Sequence, residues 1–113
     1  MSKLRYSDVT LPGGLRLRVA ESGPRDGYPV LMLHGITDSS FSFSRIVDLL
    51  PPDWHLIMPD QRGHGESDRP ASGYTIEHYA SDAIALLKEI GASSAMVVGH
   101  SLGSAVAQRV AAR

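Results

Sequence analysis

Gly99-His100-Ser101-Leu102-Gly103 sets one hydroxyl between two glycines, each two residues away. A serine hydroxyl attacks a carbonyl carbon once a base takes its proton. A sharp turn from strand into helix crowds the backbone around its central residue, and Gly99 and Gly103 remove the side chains that would clash there. Ser101 is then lifted off the end of a sheet with its hydroxyl exposed, in the manner of a nucleophile elbow. A helix starting at Leu102 aims its free amides at the point where an oxyanion would develop. G-x-S-x-G arises by chance in roughly one chain in thirty of this length, so the flanking residues decide. An apolar run, 95–98, leads into Gly99, and a glycine-free segment follows Gly103, with Ser104 and Ala105 small enough for close approach to a sheet.

Two more motifs follow apolar runs in the same way. His34-Gly35-Ile36-Thr37-Asp38 comes directly after residues 30–33. Gly35 lets the chain turn away while the backbone N–H of Ile36 turns inward, where it would pair with that of Leu102 as an oxyanion hole. His34 is expected to shape this loop through hydrogen bonds. Asp60-Gln61-Arg62-Gly63-His64-Gly65-Glu66-Ser67 comes after residues 55–58. Asp60 and Arg62, with Gly63 and Gly65 nearby, are expected to knit a tight loop through local hydrogen bonds. Asp60, His64 and Glu66 match no metal-ligand spacing, and neither metal nor cofactor is expected.

The elements that must position these motifs are legible from periodicity. Residues 15–19 alternate strictly, and Pro12-Gly13-Gly14 before them is turn chemistry, so 5–11 and 15–20 predict an antiparallel hairpin. Residues 21–28 read as a loop. Residues 30–33, 55–58 and 95–98 are continuous apolar runs, as expected of strands covered on both faces. Phe43, Ile46, Val47 and Leu50 share one helical face, and Pro51-Pro52 stops that helix. Thr75 is a candidate N-cap for a second helix whose apolar face holds Ile76, Tyr79, Ala80, Ala83, Leu87 and Ile90, with Gly91 closing it. A third helix starts at Leu102. Buried strands alternating with helices imply an α/β fold: a mainly parallel sheet between two helical layers. Ligands bind such sheets beyond the carboxyl ends of their strands, where all three motifs fall.

Composition narrows the function classes. The 113 residues suit one domain, with 42% hydrophobic and 20% charged residues, which is ordinary for a globular protein. A net charge of −1 gives no broad attraction for nucleic acid or an anionic membrane, and neither is an expected partner. The absence of cysteine excludes disulfides, thiolate metal sites and a cysteine nucleophile. No apolar run approaches the ~18–20 residues of a membrane span. Residues 1–8 lack the apolar core of a signal peptide, so a cytoplasmic location is expected.

The three motifs, in this order, resemble those of the α/β-hydrolase superfamily. Leu33-His34-Gly35 is similar to its oxyanion loop, Asp60 to Ser67 to its D-x-R-G-x-G-x-S turn, and Gly99 to Gly103 to its elbow. The resemblance spans residues 1–113 as the N-terminal portion of that domain. It implies a strand order of 1-2-4-3-5 in chain numbering, with the first two strands as the antiparallel edge. It implies Ser101 as nucleophile and the Ile36 and Leu102 amides as oxyanion hole, framed by His34, Gly35, Gly99, His100 and Gly103. It also implies a small-molecule carboxylic ester as substrate. A serine at the elbow sets the chain apart from haloalkane dehalogenases and epoxide hydrolases, which carry aspartate there. Lactonases, thioesterases, carbon–carbon hydrolases and perhydrolases share much the same N-terminal half.

In that family the acid and the histidine follow the nucleophile along the chain. No histidine or acid follows Ser101 here. His34 and His64 sit in glycine-rich loops, His55 opens a strand, His78 lies in a first helical turn, and His100 flanks the nucleophile. The expectation is therefore a second polypeptide segment that supplies the acid, the histidine and the remaining strands. The alternatives are a small-molecule receptor of the same fold and an inert assembly partner.

Overall fold

The computed structural model describes residues 4–112. Residues 1–3 and 113 of the expected domain span lie outside the described residues. Five strands and two α-helices alternate in the order β1 (Arg5–Thr10), β2 (Arg16–Ser22), β3 (Tyr28–Leu33), β4 (Trp54–Pro59), α1 (Ile76–Ile90), β5 (Met96–Gly99) and α2 (Leu102–Ala111). The sheet order is β1-β2-β4-β3-β5, as the resemblance implies. β1 pairs antiparallel with β2, and β2 with β4; β3 runs parallel to both β4 and β5.

Alternation along the central strands sorts the core into two layers. Leu31, Leu33 and Ile57 face α1 and α2 and pack with Tyr79, Ala80, Ala83, Leu86 and Val106. Val30, Met32, Leu56 and Met58 face the other way and pack with Phe43 and Val47. One-residue steps between faces are what a pleated strand requires. The continuous apolar runs are thus two half-patterns superposed. Among the described residues, no helix is long and apolar enough to cross a membrane.

Four expectations need correction. Residues 43–50 form no α-helix; two short 3-10 turns, Ser40–Phe43 and Val47–Leu49, cover this face instead. The apolar stripe holds for Phe43 and Val47, but Ile46 points to solvent. Ser39, Ser40, Ser42 and Ser44 offer the backbone competing local bonds, and the Ser39 hydroxyl accepts from Phe41 N–H. Residues 21–28 are not all loop: Glu21 and Ser22 extend β2, and Tyr28 opens β3. Glu21 is held in the sheet by His55, whose Nε2 lies 2.6 Å from Glu21 Oε1 between two buried side chains. β5 takes the edge position that the implied strand order gives it, but it is not covered on both faces as its apolar run predicts, for Met96 and Val98 are exposed. Finally, the buried face of α1 runs through Asp82 and Leu86, with Leu87 and Ile90 only partly covered.

The ends of α1 follow their sequence signals. Thr75 accepts from His78 N–H, and the His78 ring reaches back to the Thr75 backbone, so the cap is reciprocal. Gly91 closes the helix at φ 89°, a left-handed conformation that costs glycine least.

Candidate active site

β5 runs into α2 through two residues, His100 and Ser101, the second held at φ 58° and ψ −118°. That conformation costs a residue with a Cβ about 1–3 kcal/mol, so the surroundings must impose it. They do so through the two glycines. A methyl group on Gly99 would overlap the Gly103 carbonyl and stand 2.6 Å from Ser104 N. One on Gly103 would overlap the Leu33 carbonyl and stand 2.8 Å from the His34 oxygen. Gly99 thus lets strand and helix fold back on each other, while Gly103 lets α2 lie directly on the end of β3. Ser101 itself is exposed at the turn.

The end of β3 meets this turn closely. His100 N–H donates to the Leu33 carbonyl at 3.0 Å, extending the β3–β5 pairing past Gly99. A methyl on Gly35 would lie 3.1 Å from Ser101 Cβ and 3.4 Å from His100 Nδ1. A side chain there would crowd the serine, which would have to give by a few tenths of an ångström. The chain then turns tightly: Asp38 N–H donates to the Gly35 carbonyl, and Thr37 takes φ 62°, where such turns usually place glycine. Ile36 lies inside this turn with its side chain exposed. The structure therefore brings Gly35, the Ile36 turn, Ser101 and the N-terminus of α2 to one place at the carboxyl end of the sheet.

His34 is fully buried beneath that turn. Its Nε2 accepts from Gln61 N–H at 2.9 Å, so the ring proton sits on Nδ1, which donates to the Gly35 carbonyl at 2.8 Å. Burial pushes the imidazole pKa below its ordinary value, and nearby His64 acts in the same direction, outweighing the Gly35 bond. A neutral ring is what an acceptor Nε2 requires.

Asp60 knits the loop after β4 through local hydrogen bonds, as expected, whereas Arg62 reaches beyond the loop. Asp60 and Arg62 do not bond to each other. Asp60 accepts from Ser40 N–H through Oδ1 and from Glu66 N–H through Oδ2, while its carbonyl accepts from the Ser67 hydroxyl. Arg62 reaches α1, where Nε and Nη2 grip Asp82 at 2.7 and 2.9 Å, and Nη1 donates to the Gly73 carbonyl. This bidentate bond holds the Arg62 pKa above its ordinary range. His64 Nδ1 donates to the Arg62 carbonyl, and its ring packs on His34 and Tyr79. Among the described residues, no group of three histidines or acids is placed to hold a metal ion.

Sequence reasoning missed Gln61 and Asp82. Gln61 carried no signal of its own. Asp82 did: one acid on an otherwise apolar helical face, between Tyr79 and Leu86, demands a buried cation.

Four histidines are engaged elsewhere: His34 with Gly35 and Gln61, His55 with Glu21, His64 with Arg62, and His78 with Thr75. His100 lies beside Gly35. An open groove of about 570 Å³ adjoins Ser101 and runs between the helices past Ile76, Ser104 and Arg109.

A family model described as alpha/beta hydrolase fold matches residues 28–113. The chain is 35% identical over 106 residues to the non-heme chloroperoxidase of Streptomyces lividans, covering 93% of this chain and 38% of that protein. It is 40% identical over 92 residues to the 2-(acetamidomethylene)succinate hydrolase of Mesorhizobium japonicum, covering 81% of this chain and 32% of that protein. The crystal structure of epoxide hydrolase A from Mycobacterium thermoresistibile superposes with a TM-score of 0.89 at 32% identity, over 96% of this chain and 35% of that one. The chain spans about a third of the length of each.

Proposed function

The chain belongs to the alpha/beta hydrolase fold family, and from that premise we propose that it carries the nucleophile and oxyanion amides of a serine hydrolase acting on carboxylic esters. The observation that carries this reading is the conformation of Ser101. A non-glycine residue at φ 58° is imposed by two glycines that admit no side chain, at the one turn where the bare backbone of Gly35 comes alongside. Strain held in this way presents a hydroxyl to solvent at the start of a helix.

In the proposed reaction Ser101 Oγ attacks the ester carbonyl and passes its proton to a histidine. The Ile36 and Leu102 amides donate to the oxyanion, and each such donor is worth about 10²–10³ in rate. The tetrahedral intermediate collapses as the histidine gives that proton to the leaving oxygen, expelling the alcohol and leaving an acyl-serine. Water, deprotonated by the same histidine, then releases the acid and restores the serine.

The identity of the nucleophile also separates this chemistry from that of the epoxide hydrolases among its structural neighbours. A carboxylate that opens an epoxide forms an ester, which water cleaves at its carbonyl carbon. A serine that opened one would form an ether, with no carbonyl for water to attack. Turnover on Ser101 therefore calls for an acyl substrate.

We further propose that the histidine and acid come from a second polypeptide segment. It would pair with the free edge of β5 and cover Met96 and Val98. This is supported by the engagement of His34, His55, His64 and His78 and by the exposure of that edge. The test is hydrolysis of p-nitrophenyl acetate by the polypeptide that joins this chain to that segment. We expect turnover that Ser101→Ala reduces at least a thousandfold. Turnover indifferent to Ser101 refutes the serine mechanism, and tight ligand binding without turnover favours a receptor.

A further inference from the structure

Gln61 occupies a position that its chemistry does not favour. It is buried, and its Oε1 is a buried acceptor with no hydrogen-bond partner. An orphan of this kind costs about as much as a lost hydrogen bond, so native structures hold few of them. Turning the amide over gives no relief. Nε2 donates to the His34 carbonyl at 2.9 Å, and the flipped amide would set oxygen against oxygen. The cavity beside Gln61 is lined by the apolar side chains of Leu17, Leu33, Pro59 and Ala83 together with Tyr79 and Asp82; methionine would match the glutamine in volume, but it would leave the His34 carbonyl without its donor.

What the glutamine does instead is grip one residue twice. Its backbone N–H donates to His34 Nε2, and its side-chain N–H donates to the His34 carbonyl. The first bond fixes the ring proton on Nδ1, which then donates to the Gly35 carbonyl. The second fixes the peptide plane joining His34 to Gly35. Both flank the peptide that leads to the Ile36 N–H. The chain Gln61–His34–Gly35 therefore sets the direction in which that amide points, from a loop after β4 that itself never reaches Ser101.

We propose that Gln61 is a positioning residue for the oxyanion loop, acting through His34, and that its unpaired oxygen is the cost of that role. The proposal rests on the serine-hydrolase reading above. It makes the side-chain donor matter for rate and little for stability.

The experiment compares wild type with Gln61→Met in the polypeptide that joins this chain to the segment supplying the base, using p-nitrophenyl acetate. Methionine keeps the volume, removes the unpaired oxygen and loses the donor. We expect kcat to fall tenfold or more, with KM within twofold and the melting temperature little changed, because the orphan oxygen disappears as the His34 carbonyl loses its donor. An unchanged kcat in a folded variant overturns the proposal, as does a loss of kcat that only follows a loss of stability. Wild-type turnover abolished by Ser101→Ala checks the underlying reading independently, so the two failures are distinguishable. A second measurement needs no variant: nitrogen-15 NMR of the wild-type protein. Nε2 of His34 should be unprotonated, Nδ1 protonated, and a coupling should cross the hydrogen bond from Gln61 N to Nε2. A proton on Nε2 overturns the proposal.

Discussion

Gly103→Ala isolates the contact on which the site depends. Gly103 is the second residue of α2, where replacing glycine by alanine would by propensity alone stabilise the protein by up to about 1 kcal/mol. Here the added methyl would overlap the Leu33 carbonyl, 2.6 Å from its carbon and 2.8 Å from the His34 oxygen. Neither neighbour is a side chain that rotates away. α2 has to move off β3 by roughly 1 Å to restore ordinary contact. That movement also unseats Val106, which is fully buried one turn further along the same helix face. Overpacking of a side chain costs about 1–3 kcal/mol, and a backbone obstacle puts this case at the upper end, about 3 kcal/mol. For a chain of this size that lowers the melting temperature by roughly 12 °C. The same displacement carries the Leu102 amide away from the Gly35 turn, so ester turnover should fall further than stability does. Gly91→Ala is the control: it has nothing within 4 Å but sits at φ 89°, and its cost of about 1 kcal/mol is purely conformational. Urea denaturation of the three proteins is the assay. A Gly103→Ala protein as stable as wild type, or less affected than Gly91→Ala, refutes the close-approach argument.

Other perturbations follow from the same contacts. Arg62→Met leaves Asp82 without its bidentate partner on a largely buried face, and should cost about 3 kcal/mol; Arg62→Met combined with Asp82→Leu should recover much of this, and a strictly additive pair would show that the two residues do not couple. Because burial lowers the His34 pKa, the unfolded chain takes up a proton on His34 before the native protein does. Its contribution is therefore fully present above the ordinary value of 6.5 and is lost as pH falls through the lower folded value. Denaturation midpoints across this range should fall with pH, and less steeply in His34→Gln; equal slopes would show that His34 does not titrate this way.

How much of this was legible without coordinates depends on how local each signal is. The strands, the ends of α1 and the sharp turn at Ser101 all announce themselves within a few residues, through alternation, a Thr75 cap and paired glycines. The short 3-10 turns over 40–49 did not, because the Phe43 and Val47 spacing fits an α-helix while the serine backbone bonds that oppose it are invisible in a pattern. The reach of Arg62 beyond its own loop was hidden for a related reason. Asp60 is two residues away in sequence, but Asp82 is twenty away and arrives only when α1 packs on the sheet. Gln61 was missed altogether, since its bonds depend on His34 lying alongside, just past the end of the neighbouring parallel strand.

The central claim is that Ser101 is the nucleophile and sits beside its oxyanion amides. The most direct measurement is mass spectrometry of the joined polypeptide after treatment with a fluorophosphonate. The account predicts one adduct, mapped to the peptide holding Ser101 and absent from Ser101→Ala. An adduct on any other residue, or none from a protein that hydrolyses esters, would contradict it.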